Sequence, residues 1–383
     1  MKVNIYNYSQ HSLMVFNFFK ASSLPGNFAI LDFGSSSVGA AIFDSSRYTS
    51  SGTLSLVGVS RVEYSQNTIV SGIILNIEQF RNTAKISLKK ASTDCGFNPS
   101  LIVTCLSGEF SKAVSAKVRI IRKETDKILS ENEWKGFEKK VEETLLSEAQ
   151  SEMAAITGNV ESEVAVVENI LSSVTADNSE DLTNIPLGKI VTEVVGNYLI
   201  TFTQKGTLKL MKETIRNLGK KEFFCTSRIV CFVRLLTAED KSLNTIIINL
   251  DGASTDVAVV LGGSLIGVRS IPFGYNYFNP DSTDEIVDWM AMISIALSDF
   301  EGVKLFPARI TVVGERSKIA LVEAVLRSFP WAKKFPFTGS PEIEYLEDKL
   351  SLSFVEDKTG KMNEFMMLAM LSQSFRDYAK DRA

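Results

Sequence analysis

Two short stretches carry the residue types that handle phosphate. They are Asp32-Phe33-Gly34-Ser35-Ser36-Ser37 and Asn249-Leu250-Asp251-Gly252-Ala253-Ser254-Thr255-Asp256, and each interrupts a pair of apolar runs. Glycine lets a backbone come close to a ligand, and successive N–H groups with Ser and Thr hydroxyls form an anion-binding concavity. A carboxylate at the end of the first run, Asp32, can hold Mg²⁺ through water. Two such turns facing each other would clamp a nucleotide polyphosphate from opposite sides. A third stretch, Thr311-Val312-Val313-Gly314-Glu315-Arg316-Ser317, sets Gly314 and Ser317 where a strand meets a helix.

Each turn needs strands to hold it. Phe28–Leu31 and Val38–Phe43 read as strands about the first turn, and Thr53–Tyr64 as the next. Thr245–Leu250, Val257–Leu261 and Leu265–Ser270 repeat that pattern about the second. Ile77, Phe80, Ala84, Leu88 and Ala91 fall at helical spacing. Leu101–Leu106 reads as a strand. Between the two sets, Val114–Arg122, Val164–Leu171 and Lys189–Phe202 read as strands, with a polar loop at Ala176–Asn184. Ser130 followed by Glu133 opens a charged helix that runs to about Ala155. Lys205–Leu218 is amphipathic and ends at Gly219. Thr283–Phe300 and Ser317–Phe329 read as helices around a strand at Ile310–Val313. Met362–Tyr378 reads as one closing helix, apolar on every face from Phe365 to Leu371 and therefore buried.

Composition removes several classes of function. The 383 residues hold 41 Lys+Arg against 45 Asp+Glu, a formal charge of −4, which argues against nucleic-acid binding. His11 is the only histidine, so Ser-His-Asp and Cys-His catalysis and His-rich metal sites are poor fits. Cys95, Cys105, Cys225 and Cys231 form no CxxC pair and read as reduced, buried thiols of a cytoplasmic protein. No apolar run is long enough to span a bilayer. The Leu13–Phe19 run is either a docked arm or a foothold at the inner face of a membrane.

The two turns and the Gly314 stretch resemble the first phosphate, second phosphate and adenosine motifs of the actin/Hsp70/sugar-kinase superfamily. Within it the chain resembles the bacterial FtsA family, through Gly72-Ile73-Ile74-Leu75-Asn76-Ile77-Glu78 and Leu106-Ser107-Gly108-Glu109. The PilM family of pilus-assembly proteins is the alternative. The resemblance implies an α/β, duplicated actin-like (ribonuclease H-like) fold of two lobes. Residues 1–23 would be an arm. Residues 24–100, 203–243 and 345–383 would form lobe I, 101–202 an inserted FtsA-type module, and 244–344 a reduced lobe II. It implies ATP and Mg²⁺ held by Asp32, Gly34, Ser35, Ser36, Ser37, Asn249, Asp251, Gly252, Ser254, Thr255, Asp256, Gly314 and Ser317, with Asp32 on the metal. It implies as partners the tubulin-like FtsZ or other divisome proteins, and self-polymerisation.

The departures from the family pattern point away from turnover. In the ungapped frame the second-motif acid falls on Asn249 and the first glycine on Asp251; a two-residue shift makes Asp251 the acid instead. Asn carries no charge to hold Mg²⁺. The family's Lys after Val38 is Gly39, and its adenosine-motif glycines have become Gly314-Glu315-Arg316. Between Tyr275 and Ile310, where the family places a whole subdomain, there is room for one helix. The expectation is weak or no nucleotide binding, no useful hydrolysis, and a scaffold role in cell division or, alternatively, pilus assembly; the remaining alternative is a nucleotide-binding ATPase of the actin superfamily.

Overall fold

The computed structural model describes residues 24–380, apart from 66–67, 71, 160–162, 178–184, 221, 280–281, 283, 301 and 350–351. The arm with its Leu13–Phe19 run, His11 and most of the Ala176–Asn184 loop lie outside the described residues.

Strand β1 (Asn27–Phe33) turns through Gly34-Ser35-Ser36 into β2 (Ser37–Asp44), and β3 (Leu54–Glu63) follows antiparallel. Helix α1 (Ile77–Cys95) starts where Asn76 Oδ1 accepts the Gln79 N–H at 3.0 Å. Then β4 (Leu101–Leu106) lies parallel to β1. Next come β5 (Lys112–Ile121), α2 (Glu131–Thr157), β6 (Val164–Ala176) and β7 (Glu193–Gln204). Helix α3 (Lys205–Asn217), β8 (Glu222–Ser227) and α4 (Arg228–Glu239) complete the first half. The second half runs β9 (Thr245–Leu250), β10 (Thr255–Leu261), β11 (Ser264–Ile271), α5 (Asp284–Ser298), β12 (Arg309–Gly314), α6 (Arg316–Ser328) and β13 (Glu342–Tyr345). A short β14 (Val355–Asp357) and helices α7 (Met366–Met370) and α8 (Gln373–Lys380) close the described chain.

Two large sheets carry the duplication. One has the order β8-β4-β1-β2-β3-β14 and the other β11-β10-β9-β12-β13. With the added edge β14 and the separate strands β5–β7 set aside, each reads third-second-first-fourth-fifth strand of its own half. The first three strands are antiparallel and the fourth is parallel to the first. Nearly every β1 side chain is buried because both faces of that sheet are covered. Phe28 and Ile30 face one core and Ala29, Leu31 and Phe33 the other, as a period of two demands.

Helix α4 joins the halves. Its Ile229, Phe232, Val233 and Leu236 share one continuous core with Phe28 and Ile30 of the first sheet and Ile247, Ala258 and Val260 of the second. A smaller sheet, β5-β7-β6, packs its Tyr198, Ile200 and Phe202 against Val141, Leu145, Ala149 and Met153 of α2. Ser130 caps α2 by accepting the Glu133 N–H at 3.2 Å.

Several sequence expectations are corrected. Leu101–Leu106 pairs with both β1 and β8 and is therefore a middle strand of the first sheet, not set apart from it with the segment that follows. The closing helix is two short helices. Ser372 and Ser374 hydroxyls donate to the Ala369 and Leu371 carbonyls at the break, competing with the helical ladder. Residues 222–239, which the apolar pattern left unassigned, supply β8 and α4. Between β11 and β12 the described residues hold one α-helix, α5, and a single 3₁₀ turn at Tyr275–Tyr277. Among the described residues, no helix is long and apolar enough to cross a membrane.

Candidate functional site

The register of the two hairpins fixes which residues correspond. In the first, Asp32 lies opposite Gly39, Phe33 opposite Val38, and Gly34 N–H donates to the Ser37 carbonyl at 3.0 Å. In the second, Asn249 lies opposite Asp256, Leu250 opposite Thr255, and Asp251 N–H donates to the Ser254 carbonyl at 3.0 Å. The hairpins match without a gap. Asn249 therefore stands where the first hairpin has Asp32, and Asp251 where it has Gly34.

The turns meet each other directly. Ala253 N–H donates to Ser35 Oγ at 2.7 Å, and Ser35 N–H donates to Asp251 Oδ2 at 3.3 Å. Behind them, Tyr275 and Asn276 N–H groups donate to the Asp251 and Gly252 carbonyls at 3.0 and 2.8 Å and brace the second turn. Ser36 gives its carbonyl to Tyr64 N–H at 2.9 Å, tying the first turn to the end of β3.

Arg228 lies between the two acids. It is the first residue of α4, directly after β8, and only 1% of its area is exposed. Its Nε and Nη2 donate to Asp32 Oδ1 at 3.0 and 2.8 Å, and its Nη1 to Asp251 Oδ2 at 2.7 Å. Burial alone pushes the Asp251 carboxyl up, but the Arg228 guanidinium and the Gly252 and Ser35 N–H groups hold it below the usual range. For Asp32 burial outweighs the same guanidinium and the carboxyl is raised. The two carboxylates in turn keep Arg228 firmly protonated against its burial.

A third buried acid links the sheets. Asp256 accepts from Asn249 Nδ2 at 3.0 Å, Ser270 Oγ at 2.7 Å and the Gly108 N–H at 3.2 Å. Gly108 belongs to the loop after β4, so this bond crosses from the first half to the second. A Cβ at Gly108 would lie 1.4 Å from Asp256 Oδ1, so only glycine permits the approach. Burial raises the Glu109 carboxyl beside it to about 7, against a bond from the Gly72 N–H.

The remaining expected residues face other partners. The Thr255 hydroxyl donates to the Phe273 carbonyl at 2.7 Å and accepts the Trp289 indole N–H at 2.9 Å, inside the second half. Gly314 ends β12 beside Leu250. Ser317 Oγ donates to Glu315 Oε1 at 2.7 Å, while Glu315 Oε2 pairs with Arg61 at 3.3 Å across the halves. Arg316 stacks on the Tyr345 ring at 4.6 Å. Ser254 Oγ and Asn249 Oδ1 are buried without a protein partner.

This arrangement does not fit a metal-bound phosphate chain. The floor where Asp32 and the two turns would receive one is filled by the guanidinium and by turn-to-turn hydrogen bonds. Among the described residues, no group of three or more His, Cys, Asp or Glu side chains is placed to hold a metal ion.

The chain is similar in fold to solved structures. A chain of a PilM–PilN type IV pilus biogenesis complex superposes with a TM-score of 0.60 at 12% identity, covering 91% of this chain and 98% of that one. The fold is the actin-like one. The ethanolamine utilization protein EutJ from Carboxydothermus hydrogenoformans gives a TM-score of 0.44 at 8% identity, with 92% of each chain covered. A Bacteroides thetaiotaomicron protein with an actin-like ATPase fold gives 0.42 at 8%, with 91% of this chain and 96% of that one covered. No family model and no curated protein matches the sequence.

Arg228, at the heart of this actin-like site, escaped the motif reading, and Gly108 and Glu109 enter it only within the Leu106-Ser107-Gly108-Glu109 stretch, not as site residues. For Arg228 a signal exists. Phe223-Phe224-Cys225 and Ile229-Val230-Cys231-Phe232-Val233 form a nearly continuous apolar stretch. A cation inside such a stretch implies a buried ion pair. For Gly108 and Glu109 nothing local marks the contact, because their partners are brought from distant parts of the chain.

Proposed function

We propose that this chain is an actin-fold scaffold that does not turn over nucleotide. The observation that carries the reading is Arg228 bridging Asp32 and Asp251 while Ser35 and Ala253 are hydrogen-bonded. In an actin-like ATPase site a metal and phosphates must lie between the two hairpins. Here a protein cation holds that position and joins the lobes without a ligand. Asn249 in the place of the second acid removes the carboxylate that would orient a water.

Within that reading the chain serves as a cytoplasmic adaptor of a pilus-type assembly complex. Support comes from the likeness to a chain of the PilM–PilN complex over 91% of this chain. The second reading is an FtsA-like scaffold of cell division that engages FtsZ. It is favoured by the Gly72–Glu78 and Leu106–Glu109 stretches and by the insert after β4.

Phosphate release under ATP·Mg²⁺, followed for hours at micromolar protein, tests the non-turnover reading. The expected rate equals the protein-free control, and steady release overturns it. Co-purification from the host separates the two roles: pilus-assembly proteins support the first and the tubulin-like division protein the second.

A further inference from the structure

The first lobe carries a preformed groove beside the seam between β3 and α1. Gly58 lets the helix sit down on the strand, since a Cβ there would lie 2.2 Å from the Ala91 carbonyl oxygen. Ser60 Oγ donates to the Ser87 carbonyl at 2.7 Å, and Ser87 Oγ to the Val38 carbonyl at 3.0 Å. These buried links fix the walls. The groove is an open depression of about 660 Å³, with Ile86 and Phe365 as apolar surface over the buried Val59, and with Arg61, Lys89 and Lys90 as cations beside Asp94.

The charges are unevenly satisfied. Arg61 is paired with Glu315, and Asp94 at one end is reached by Lys361 at 3.8 Å. Lys89 and Lys90 are exposed, with no carboxylate in ion-pair range among the described residues, and Lys85 lies one turn before them on the same helix. The chain as a whole is acidic, at −4, so this basic, partly apolar strip is a local feature. Ile86 is 45% exposed in its midst.

We infer that this groove docks a short acidic peptide segment of another protein. An apolar side chain of the segment rests on Ile86 and Phe365, and its carboxylates face Lys89 and Lys90. The inference draws its purpose from the scaffold reading, but its geometry is independent of the interlobe site.

The test is selection of random 12-residue peptides displayed on phage against the full chain, with the K89E/K90E double variant as counter-target. Both lysines are exposed, so the variant folds, which circular dichroism checks. The expected pool is net acidic with one or two bulky apolar residues. Its synthetic members bind the wild-type chain in fluorescence polarisation. They lose at least about tenfold in affinity on K89E/K90E and weaken as salt rises. Neutral or basic winners, or binding that K89E/K90E leaves unchanged, overturn the inference. So does self-association of the chain, or flotation with anionic vesicles, that the same variant abolishes, since the groove then serves a second copy or a lipid surface. Phosphate release is read separately, so failure here leaves the non-turnover reading standing, and the reverse.

Discussion

Asp32 and Asp251 belong to opposite lobes, yet they share a single guanidinium. Arg228 reaches Asp32 Oδ1 at 2.8 Å and Asp251 Oδ2 at 2.7 Å from the start of the helix whose apolar side is common to both sheets. The ion pairs join the two lobes directly. The link is built from one cation and two carboxylates, with the excess charge shared by the Gly252 and Ser35 N–H groups.

Removing Arg228 therefore leaves two buried carboxylates without their cation. Arg228→Ala is expected to lower unfolding stability by about 3–5 kcal/mol, read from urea denaturation. Adding Asp32→Asn and Asp251→Asn to the same variant should return part of that loss, because uncharged amides cost less to bury. A single Arg228→Ala that unfolds at the wild-type midpoint would show that the bridge is not a strut.

Gly108 provides a second test of how closely the lobes meet. Gly108→Ala places a methyl group 1.4 Å from Asp256 Oδ1 and forces the loop or the second hairpin to move. The expected thermal midpoint falls by several degrees, as for overpacking of about 1–3 kcal/mol. Gly136→Ala, on α2 with nothing near its Cβ, should instead raise it slightly, by about 0.5–1 kcal/mol of helix propensity.

The pH dependence follows from Glu109. Burial raises its folded-state value from 4.5 to about 7, against the Gly72 N–H and Lys112 and reinforced by Asp251 and Asp256. The folded chain therefore keeps a proton that the unfolded chain gives up above about pH 4.5. Its contribution is fully present below that point and is lost as pH rises through about 7. Stability should fall across this window, and Glu109→Gln should flatten the slope, as measured by urea midpoints at several pH values. An unchanged slope in the variant would place the titrating group elsewhere.

The two lobes were legible in the sequence because each rests on local pattern. Apolar runs around the Gly34 and Gly252 turns announce hairpins, and Ser130 with Glu133 announces the helix that follows. Asn249 in the acid position was legible too, and the register of β9 against β10 agrees with the ungapped frame. The role of Arg228 was not, since it depends on Asp32 and Asp251, positions separated from each other by more than half the chain. The place of Leu101–Leu106 was misread for a related reason. A buried parallel strand looks the same in any sheet, and only its pairing with β1 and β8 decides which one owns it. The break in the closing helix turns on Ser372 and Ser374, whose hydroxyls compete for carbonyls in a way that an apolar tally does not record.

Isothermal titration of the purified chain with ATP·Mg²⁺ tests the central claim most directly. With Arg228 bridging the lobes and Ser35 hydrogen-bonded to Ala253, the account predicts no saturable heat up to millimolar nucleotide. Micromolar binding with one-to-one stoichiometry would contradict it, for the lobes would then have to part and release Arg228 to admit the phosphates.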